Sequence, residues 1–183
     1  MKRVVQLFIL VMVVLSASFG FAQDKAPSVT LKGFDGNAVE LSQYWENGPV
    51  LIDFWATWCT PCKESLPHFD EIYAKYKDKG LQVLAISVDA PKSMSKVQPF
   101  IVGEGFTFTT LLDPNSEGLK AFGAKNIPHT VLVGKGGKIL HTKFGYLPGD
   151  EEKLEEEVKK ALAEIAVPES KSEAVKEGTP NAK

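Results

Sequence analysis

The stretch Val50–Lys63 reads VLIDFWATWCTPCK and holds the only two cysteines of the chain, Cys59 and Cys62. Its first six residues are apolar except Asp53, a composition typical of a strand covered on both faces of a sheet. Pro61 suits the first turn of a helix, because a proline there brings no N–H group that would be left unpaired. The stretch therefore predicts a buried central strand followed at once by a helix that carries both cysteines.

The spacing of the two cysteines predicts redox chemistry. We expect the Cys59 thiol to be exposed at the tip of the helix, where unpaired backbone N–H groups and the helix dipole favour a thiolate. Cys62 follows one turn later, close enough to form a disulfide with Cys59.

A structural disulfide or a zinc site would also use two cysteines at this spacing. Closing so short a ring stabilises a fold by only about 2 kcal/mol on the chain-entropy model, less any strain. Structural zinc usually takes four ligands, and besides this pair the sequence offers only His68, His129 and His141. The glycine-rich run 134–137 is typical of a hairpin turn, not of a phosphate-binding loop. We therefore predict a reactive pair, no metal and no cofactor.

The N-terminus has the features of a secretion signal. Two basic residues precede the apolar run Val4–Leu15, and Gly20 and Ala22 are small residues at the two positions that a signal peptidase reads. We predict a signal peptide over residues 1–22. Without cleavage, the uncharged run 4–22 is long enough to serve as a membrane anchor.

The rest of the chain predicts one domain and a tail. Residues 27–166 are sufficient for a single hydrophobic core. A net charge of −2 lacks the excess of positive charge that nucleic-acid binding requires, so we predict no nucleic-acid partner. Residues 167–183 are rich in Lys, Glu, Ser and Pro, so we predict a disordered tail. A disulfide-forming pair behind a leader indicates an exported protein, either periplasmic or anchored in the membrane and facing the periplasm.

Alternating and helical apolar patterns predict the remaining elements. The predicted strands are 28–32, 38–41, 50–55, 81–88, 106–112, 130–133 and 138–142. The first predicted helix begins at the cysteine pair and continues through Pro67. Three further helices are predicted over 93–102, 116–122 and 150–166. The pattern indicates an α/β fold with a mixed central sheet, helices on both faces and an N-terminal β-hairpin.

These residues closely resemble thioredoxin, since VLIDFWATWCTPCK is followed much later by Ile127-Pro128-His129-Thr130. A C-x-x-C after an apolar strand, with a distant Ile-Pro before another strand, is a two-part signature. The leader, the hairpin and an inserted segment around 93–102 make the chain similar to the TlpA/ResA-like branch of thiol-disulfide oxidoreductases. The resemblance covers about residues 27–166 and implies the thioredoxin fold and protein-disulfide oxidoreductase activity.

The resemblance also implies roles for individual residues. Cys59 attacks the disulfide of a partner protein and Cys62 resolves the mixed disulfide. Asp53 stands where thioredoxin has a buried acid that accepts the Cys62 proton, directly or through a water, although a paired core carboxylate is the alternative. The Ile127–Pro128 bond is expected to be cis. The implied substrate groove consists of Trp58, Thr60, Pro61, Ile127 and Pro128.

Two positions of the chain depart from the exported branch of the family. Many members of that branch have another residue in place of Asp53, and they often carry a Glu where this chain has Ser65. Glu64 lies one step earlier, and one step along a helix rotates a side chain by about 100°. The role of the family's Glu is therefore not transferred to Glu64.

Four further side chains are candidates for the neighbourhood of the site. His129 replaces the Thr of thioredoxin, and it either tunes the thiolate or points into solvent or the core. We expect His68 on the surface, because it lies six residues beyond Cys62 on the same helix. Trp55 and Trp58 are expected to form walls of the active-site rim.

The cysteine pair and the leader predict the direction of electron transfer and the partners. Thr60 and Pro61 place no positive side chain between the cysteines, so we expect a moderately lowered Cys59 pKa and a reducing role. A reductase outside the cytoplasm needs a membrane thiol-electron donor. By family analogy its substrates are oxidised exported proteins, with apocytochrome c among the candidates. We expect a monomer.

Two other functions on the same fold remain open. A peroxiredoxin-like thiol peroxidase would use a lone peroxidatic cysteine, and the adjacent pair and Ala56, three residues before Cys59, argue against it. A copper-delivery module would need cysteines spaced more widely and a histidine that serves as a metal ligand.

Overall fold

A computed structural model describes residues 25–166. The strands are β1 (Thr30–Lys32), β2 (Ala38–Glu40), β3 (Val50–Trp55), β4 (Gln82–Ser87), β5 (Thr109–Leu112), β6 (His129–Val133) and β7 (Ile139–Phe144). The α-helices are α1 (Thr60–Tyr76), α2 (Val97–Glu104), α3 (Glu117–Ala121) and α4 (Asp150–Ala166). The predicted leader, 1–22, and tail, 167–183, lie outside the described residues.

The seven strands form one mixed sheet in the order β2-β1-β5-β4-β3-β6-β7. Strands β3, β4 and β5 run parallel, and β6, β7 and the hairpin β1–β2 add antiparallel pairs. The predicted mixed sheet and N-terminal hairpin are confirmed. The carboxyl ends of the three parallel strands meet at one edge of the sheet, and the turn with the cysteine pair leaves from that edge.

The predicted β3–α1–β4 unit forms as expected from the sequence. All six residues of β3 are buried, and it pairs in parallel with β4 from Val50↔Gln82 to Trp55↔Ser87. Pro61 lies in the first turn of α1, and the helix continues through Pro67 to Tyr76. The apolar run and its proline therefore position the cysteine pair.

Two hydrophobic clusters cover the two faces of the sheet, because side chains alternate along each strand. On β3, Leu51 and Trp55 belong to the cluster under α1, α2 and α4, and alternation places Asp53 on this face as well. Ile52 and Phe54 belong to the opposite cluster, which is covered by α3 and the first hairpin. The helices thus lie on both faces, as predicted, with three of them on the dithiol side.

Most predicted bounds shift by one or two residues, and two predicted elements differ more. The predicted helix 93–102 is a 3-10 turn, Met94–Lys96, followed by α2. Pro99 lies in the first turn of α2, where backbone N–H groups have no acceptor within the helix, so a proline there costs no hydrogen bond. The predicted strand 106–112 begins only at Thr109, because the Thr107 N–H donates to the Asp70 carboxylate on α1 instead of a neighbouring strand. Among residues 25–166, none of the helices combines the length and apolarity needed to cross a membrane.

Candidate active site

The cysteine pair lies where β3 passes into α1. Cys59 is the N-cap residue of α1, and Cys62 lies in its first turn. The two are joined by a disulfide, with their Cα atoms 5.3 Å apart. The Cys59 N–H donates to the Ala56 carbonyl at 3.0 Å, so a tight turn aligns the first cysteine with the helix.

The exposure of the cysteines differs from the sequence prediction. Cys59 was predicted to be exposed, but in the disulfide form it is only 5% exposed, and Cys62 is fully buried. Both sulfurs belong to the hydrophobic cluster that also contains Trp55 and Leu66, which accounts for their burial. Cys59 is nevertheless the member of the pair that retains contact with solvent.

The predicted groove residues differ in their exposure. Trp58, Thr60 and Pro61 are exposed, with Trp58 at 66%, whereas Ile127 is half-buried and Pro128 is buried. The Ile127–Pro128 bond is cis, as the resemblance implied. Because Phe54 pairs with His129 in an antiparallel register, Pro128 lies at the carboxyl end of β3, the end from which the cysteine turn leaves. The Pro128 carbonyl accepts the Gly145 N–H at 2.9 Å, so it is already engaged.

Asp53 is a fully buried acid in the middle of the sheet. Its Oδ1 accepts a hydrogen bond from the Thr130 hydroxyl at 2.9 Å, and among the described residues its Oδ2 has no partner. Burial raises the pKa of Asp53 to about 8, and the Thr130 hydrogen bond opposes that shift. A carboxyl group with such a pKa can exchange a proton near neutral pH.

His129 does not share the face of Asp53. It is buried, and its ring centroid lies 6.1 Å from that of Phe54, in the cluster on the opposite side of the sheet from α1. Burial lowers the pKa of His129, which favours a neutral imidazole. Of the alternatives open from the sequence, the core position is the one found.

The other candidates divide between surface and core. His68 is 37% exposed on α1, as predicted, and Glu64 is also exposed. Ser65 is buried and donates to the Cys62 carbonyl at 2.9 Å. The prediction that Trp55 forms part of the rim is wrong, because alternation on β3 turns it into the core, where its ring lies 5.3 Å from that of Phe100.

Sequence reasoning missed one buried acid near the cysteine turn. Asp89 is fully buried just after β4, and it accepts hydrogen bonds from Thr57, two residues before Cys59. The signal that could have identified it is a polar residue directly after a buried strand that is parallel to β3. Thr130 belongs to the Ile-Pro signature, but its hydrogen bond to Asp53 depends on a strand register that the sequence does not reveal.

Two exposed apolar side chains lie on either side of Gly145 in the chain, the residue whose N–H donates to the Pro128 carbonyl. Phe144, the register partner of His129, is 62% exposed, and Leu147 is 68% exposed. Neither carries a sequence signal that separates it from a core residue. Among residues 25–166, no group of three or more His, Cys, Asp or Glu side chains is arranged to hold a metal ion.

Comparison with known proteins gives a consistent result. Residues 22–142 match the family described as AhpC/TSA family. The thiol-disulfide oxidoreductase ResA of Bacillus thuringiensis subsp. konkukian (strain 97-27) is 32% identical over 136 residues, which cover 74% of this chain and 76% of that protein.

Solved structures agree with this match. A candidate thiol:disulfide interchange protein DsbE from Chlorobium tepidum is 37% identical with a TM-score of 0.70, over 76% of this chain and 96% of that one. An uncharacterized thioredoxin-like protein from Porphyromonas gingivalis is 31% identical with a TM-score of 0.64, over 78% of this chain and 95% of that one.

Proposed function

The chain belongs to the AhpC/TSA family, and on that premise we propose that it reduces the disulfides of exported proteins through Cys59 and Cys62. It is a thiol-disulfide oxidoreductase with the thioredoxin fold, similar to ResA and to the DsbE-like structure. The observation that carries the proposal is the Cys59–Cys62 disulfide at the head of α1, because this is the oxidised product of the exchange.

The exchange begins with both cysteines reduced. The Cys59 thiolate attacks one sulfur of the partner's disulfide, a Cys59–partner disulfide forms, and the other partner sulfur leaves as a thiolate that takes up a proton. Cys62 then loses its proton and attacks the Cys59 sulfur, which releases the second partner thiolate. Two electrons have passed to the partner, and the Cys59–Cys62 disulfide remains.

Asp53 is the group that we assign as proton acceptor for Cys62. Its pKa of about 8 lies close to the ordinary thiol pKa of about 8.5, so a proton can pass between them with little loss of driving force. Its position on the α1 face of β3, the face that buries Cys62, supports the assignment.

The groove residues bind the partner around Cys59. Trp58, Thr60 and Pro61 offer exposed surface on the helix side, and Ile127 and Pro128 form the opposite wall. Because the Pro128 carbonyl is engaged by Gly145, an extended substrate segment has to pair with backbone groups on the Ile127 side.

The cellular setting of the proposal rests on the sequence of the termini. Residues 1–22 form a signal peptide or an uncleaved anchor, 27–166 the thioredoxin-like domain and 167–183 a solvated tail. The domain then acts in the periplasm, where a membrane thiol-electron donor returns electrons to the Cys59–Cys62 disulfide. Oxidised exported proteins, including apocytochromes c, are the proposed substrates, and the protein acts as a monomer.

The test is disulfide trapping combined with insulin reduction. The protein with both cysteines should catalyse insulin reduction by dithiothreitol, and Cys62→Ser should accumulate mixed disulfides that mass spectrometry can identify. Cys59→Ser should trap few partners. Equal trapping by both variants would contradict the roles of Cys59 as nucleophile and Cys62 as resolving cysteine. Peroxide turnover by Cys62→Ser would favour a thiol peroxidase, and stoichiometric copper without reductase activity would favour a metal carrier.

A further inference from the structure

A second buried carboxylate lies beside the cysteine turn and takes no part in the exchange described above. Asp89 follows β4 and is fully buried. Its Oδ2 accepts the Thr57 N–H at 2.8 Å and the Ser87 hydroxyl at 3.0 Å, and its Oδ1 accepts the Thr57 hydroxyl at 2.7 Å. Two of the three donors therefore belong to Thr57.

Thr57 belongs to the turn that sets the position of the first cysteine. The turn runs from Ala56 to Cys59 and is closed by the Cys59 N–H, which donates to the Ala56 carbonyl at 3.0 Å. Apart from the disulfide, the Cys59 side chain makes no capping hydrogen bond to α1. Once the disulfide is reduced, the orientation of the Cys59 sulfur therefore depends on the backbone that precedes it. The Val88 N–H also donates to the Trp55 carbonyl at 2.8 Å. This bond is a further connection between the end of β4 and the residue that precedes the turn.

Burial of a carboxylate is unfavourable unless its oxygens are hydrogen-bonded, and an apolar side chain would fill the same space without that penalty. With no exposed surface, Asp89 has no access to a substrate. Its contribution must therefore lie in what it holds in place, and what it holds is Thr57.

We propose that Asp89 is a positioning residue that, through Thr57, keeps the Cys59 sulfur aligned with the N-terminal N–H groups of α1. The inference rests on the proposed function, because it requires Cys59 to be the nucleophile. Releasing Thr57 lets the turn move, which weakens the stabilisation of the Cys59 thiolate by the helix and slows the first attack. Resolution is affected less, because the attacking Cys62 lies inside the helix and its thiolate does not depend on the turn.

The central variant is Thr57→Val, which removes the hydroxyl but keeps side-chain shape, the backbone hydrogen bond and the Asp89 carboxylate. Thr57→Ser restores the hydroxyl, and Asp89→Asn keeps the size of the side chain. A matched control is Thr107→Val, since the Thr107 N–H and hydroxyl donate to Asp70 at 2.7 and 3.0 Å, the same arrangement on an exposed part of the fold. Each variant is made in the full chain and also with Cys62→Ser, so that the first attack is isolated.

Three quantities are measured for each variant: the rate of attack of Cys59 on a small aromatic disulfide, the Cys59 pKa from thiolate absorbance, and the free energy of unfolding. We expect Thr57→Val to slow the attack about fivefold, the factor that corresponds to the net free energy of one typical hydrogen bond, and to raise the Cys59 pKa. Thr57→Ser should restore both values, Asp89→Asn should slow the attack at least as much as Thr57→Val, and Thr107→Val should change neither rate nor pKa.

Two results would overturn the proposal. If Thr57→Val and Asp89→Asn lower stability but leave the attack rate and the Cys59 pKa unchanged, Asp89 only stabilises the fold. If Asp89→Asn lowers the Cys59 pKa while Thr57→Val has no effect, Asp89 acts through its charge and not through the turn. Failure of the proposed function is recognised by a different variant. If Cys59 were not the nucleophile, the Cys59→Ser protein would still attack the small aromatic disulfide.

Discussion

Asp53 and Asp89 are both fully buried acids associated with neighbouring strands, but their surroundings differ. Asp53 accepts one hydrogen bond, from Thr130, and its Oδ2 has no partner among the described residues. Asp89 accepts three hydrogen bonds, two of them from the turn before Cys59. The donors of Asp89 connect the cysteine turn to the end of β4, whereas burial raises the pKa of Asp53 to about 8, so that Asp53 can exchange a proton near neutral pH.

The largest difference between the two acids should appear in the second half of the exchange. Asp53→Asn removes the proton acceptor of Cys62, so we expect resolution of a preformed mixed disulfide to slow about 100-fold at neutral pH, within the range for general-base catalysis. The first attack by Cys59 should be unchanged. Stopped-flow fluorescence can follow both steps, since Trp55 lies in the same cluster as the two sulfurs.

Asp89→Asn serves as the comparison variant for this experiment, with the opposite pattern, in which attack is slowed more than resolution. Equal effects of the two variants on both steps would mean that the acids do not have separate roles.

The free energy of unfolding should depend on pH through Asp53. Burial raises the pKa of Asp53 from 3.8 to about 8, so between these values the folded state binds one proton more than the unfolded state. The free energy of unfolding then falls as pH rises through this window, by at most about 1.4 kcal/mol per pH unit from this group. Asp53→Asn should remove this slope and be the more stable protein near pH 8, as measured by urea unfolding.

Asp89→Asn should keep the pH slope, because Asp53 is still present. A wild-type slope that persists in Asp53→Asn would show that another group is responsible.

A smaller effect is expected at Thr130. The Thr130 hydroxyl lowers the pKa of Asp53, so Thr130→Val should raise that pKa further. The loss of one hydrogen bond to a buried carboxylate corresponds to a shift of about one pH unit to higher pH in the profile of the resolving step. Thr130→Ser keeps the hydroxyl and should leave the profile in place, and a profile unchanged in Thr130→Val would exclude the hydrogen bond as a determinant.

The smallest effect is expected at a third buried titratable residue. His129 follows the cis-proline but lies on the face of the sheet opposite to Asp53. His129→Leu should therefore change the rates of attack and resolution less than about twofold, because general acid–base effects require contact with the reacting proton. A tenfold change in either rate, measured in the same stopped-flow assay, would mean that the imidazole reaches the dithiol.

Much of the fold was predictable because local signals agree with the packing. The apolar run of β3, the proline at the start of α1 and the periodicity of α4 gave the correct elements, and α4 has the predicted bounds. The extent of β5 was not predictable, since Phe106 and Phe108 look strand-like but precede a strand that begins at Thr109. The start of α2 at Val97, which places Pro99 in the first turn of the helix, was not predictable either, because the sequence does not reveal where a helix begins.

The site was predictable where chemistry depends on spacing along the chain and not where it depends on register. The Cys59–Cys62 disulfide and the cis Ile127–Pro128 bond were expected. The face occupied by His129 follows from the pairing of β3 with β6, and this pairing is a long-range property. The same holds for the link between Asp89 and Thr57, which are 32 positions apart.

The most direct test of the whole account is the order in which the two reduced thiols are alkylated. Limiting iodoacetamide is added to the reduced protein over a range of pH, and the labelled cysteine is identified by mass spectrometry of its peptides. We expect Cys59 to be labelled first, with an inflection clearly below the ordinary thiol pKa of about 8.5. Equal labelling of Cys59 and Cys62, or a Cys59 inflection at the ordinary value, would contradict the account.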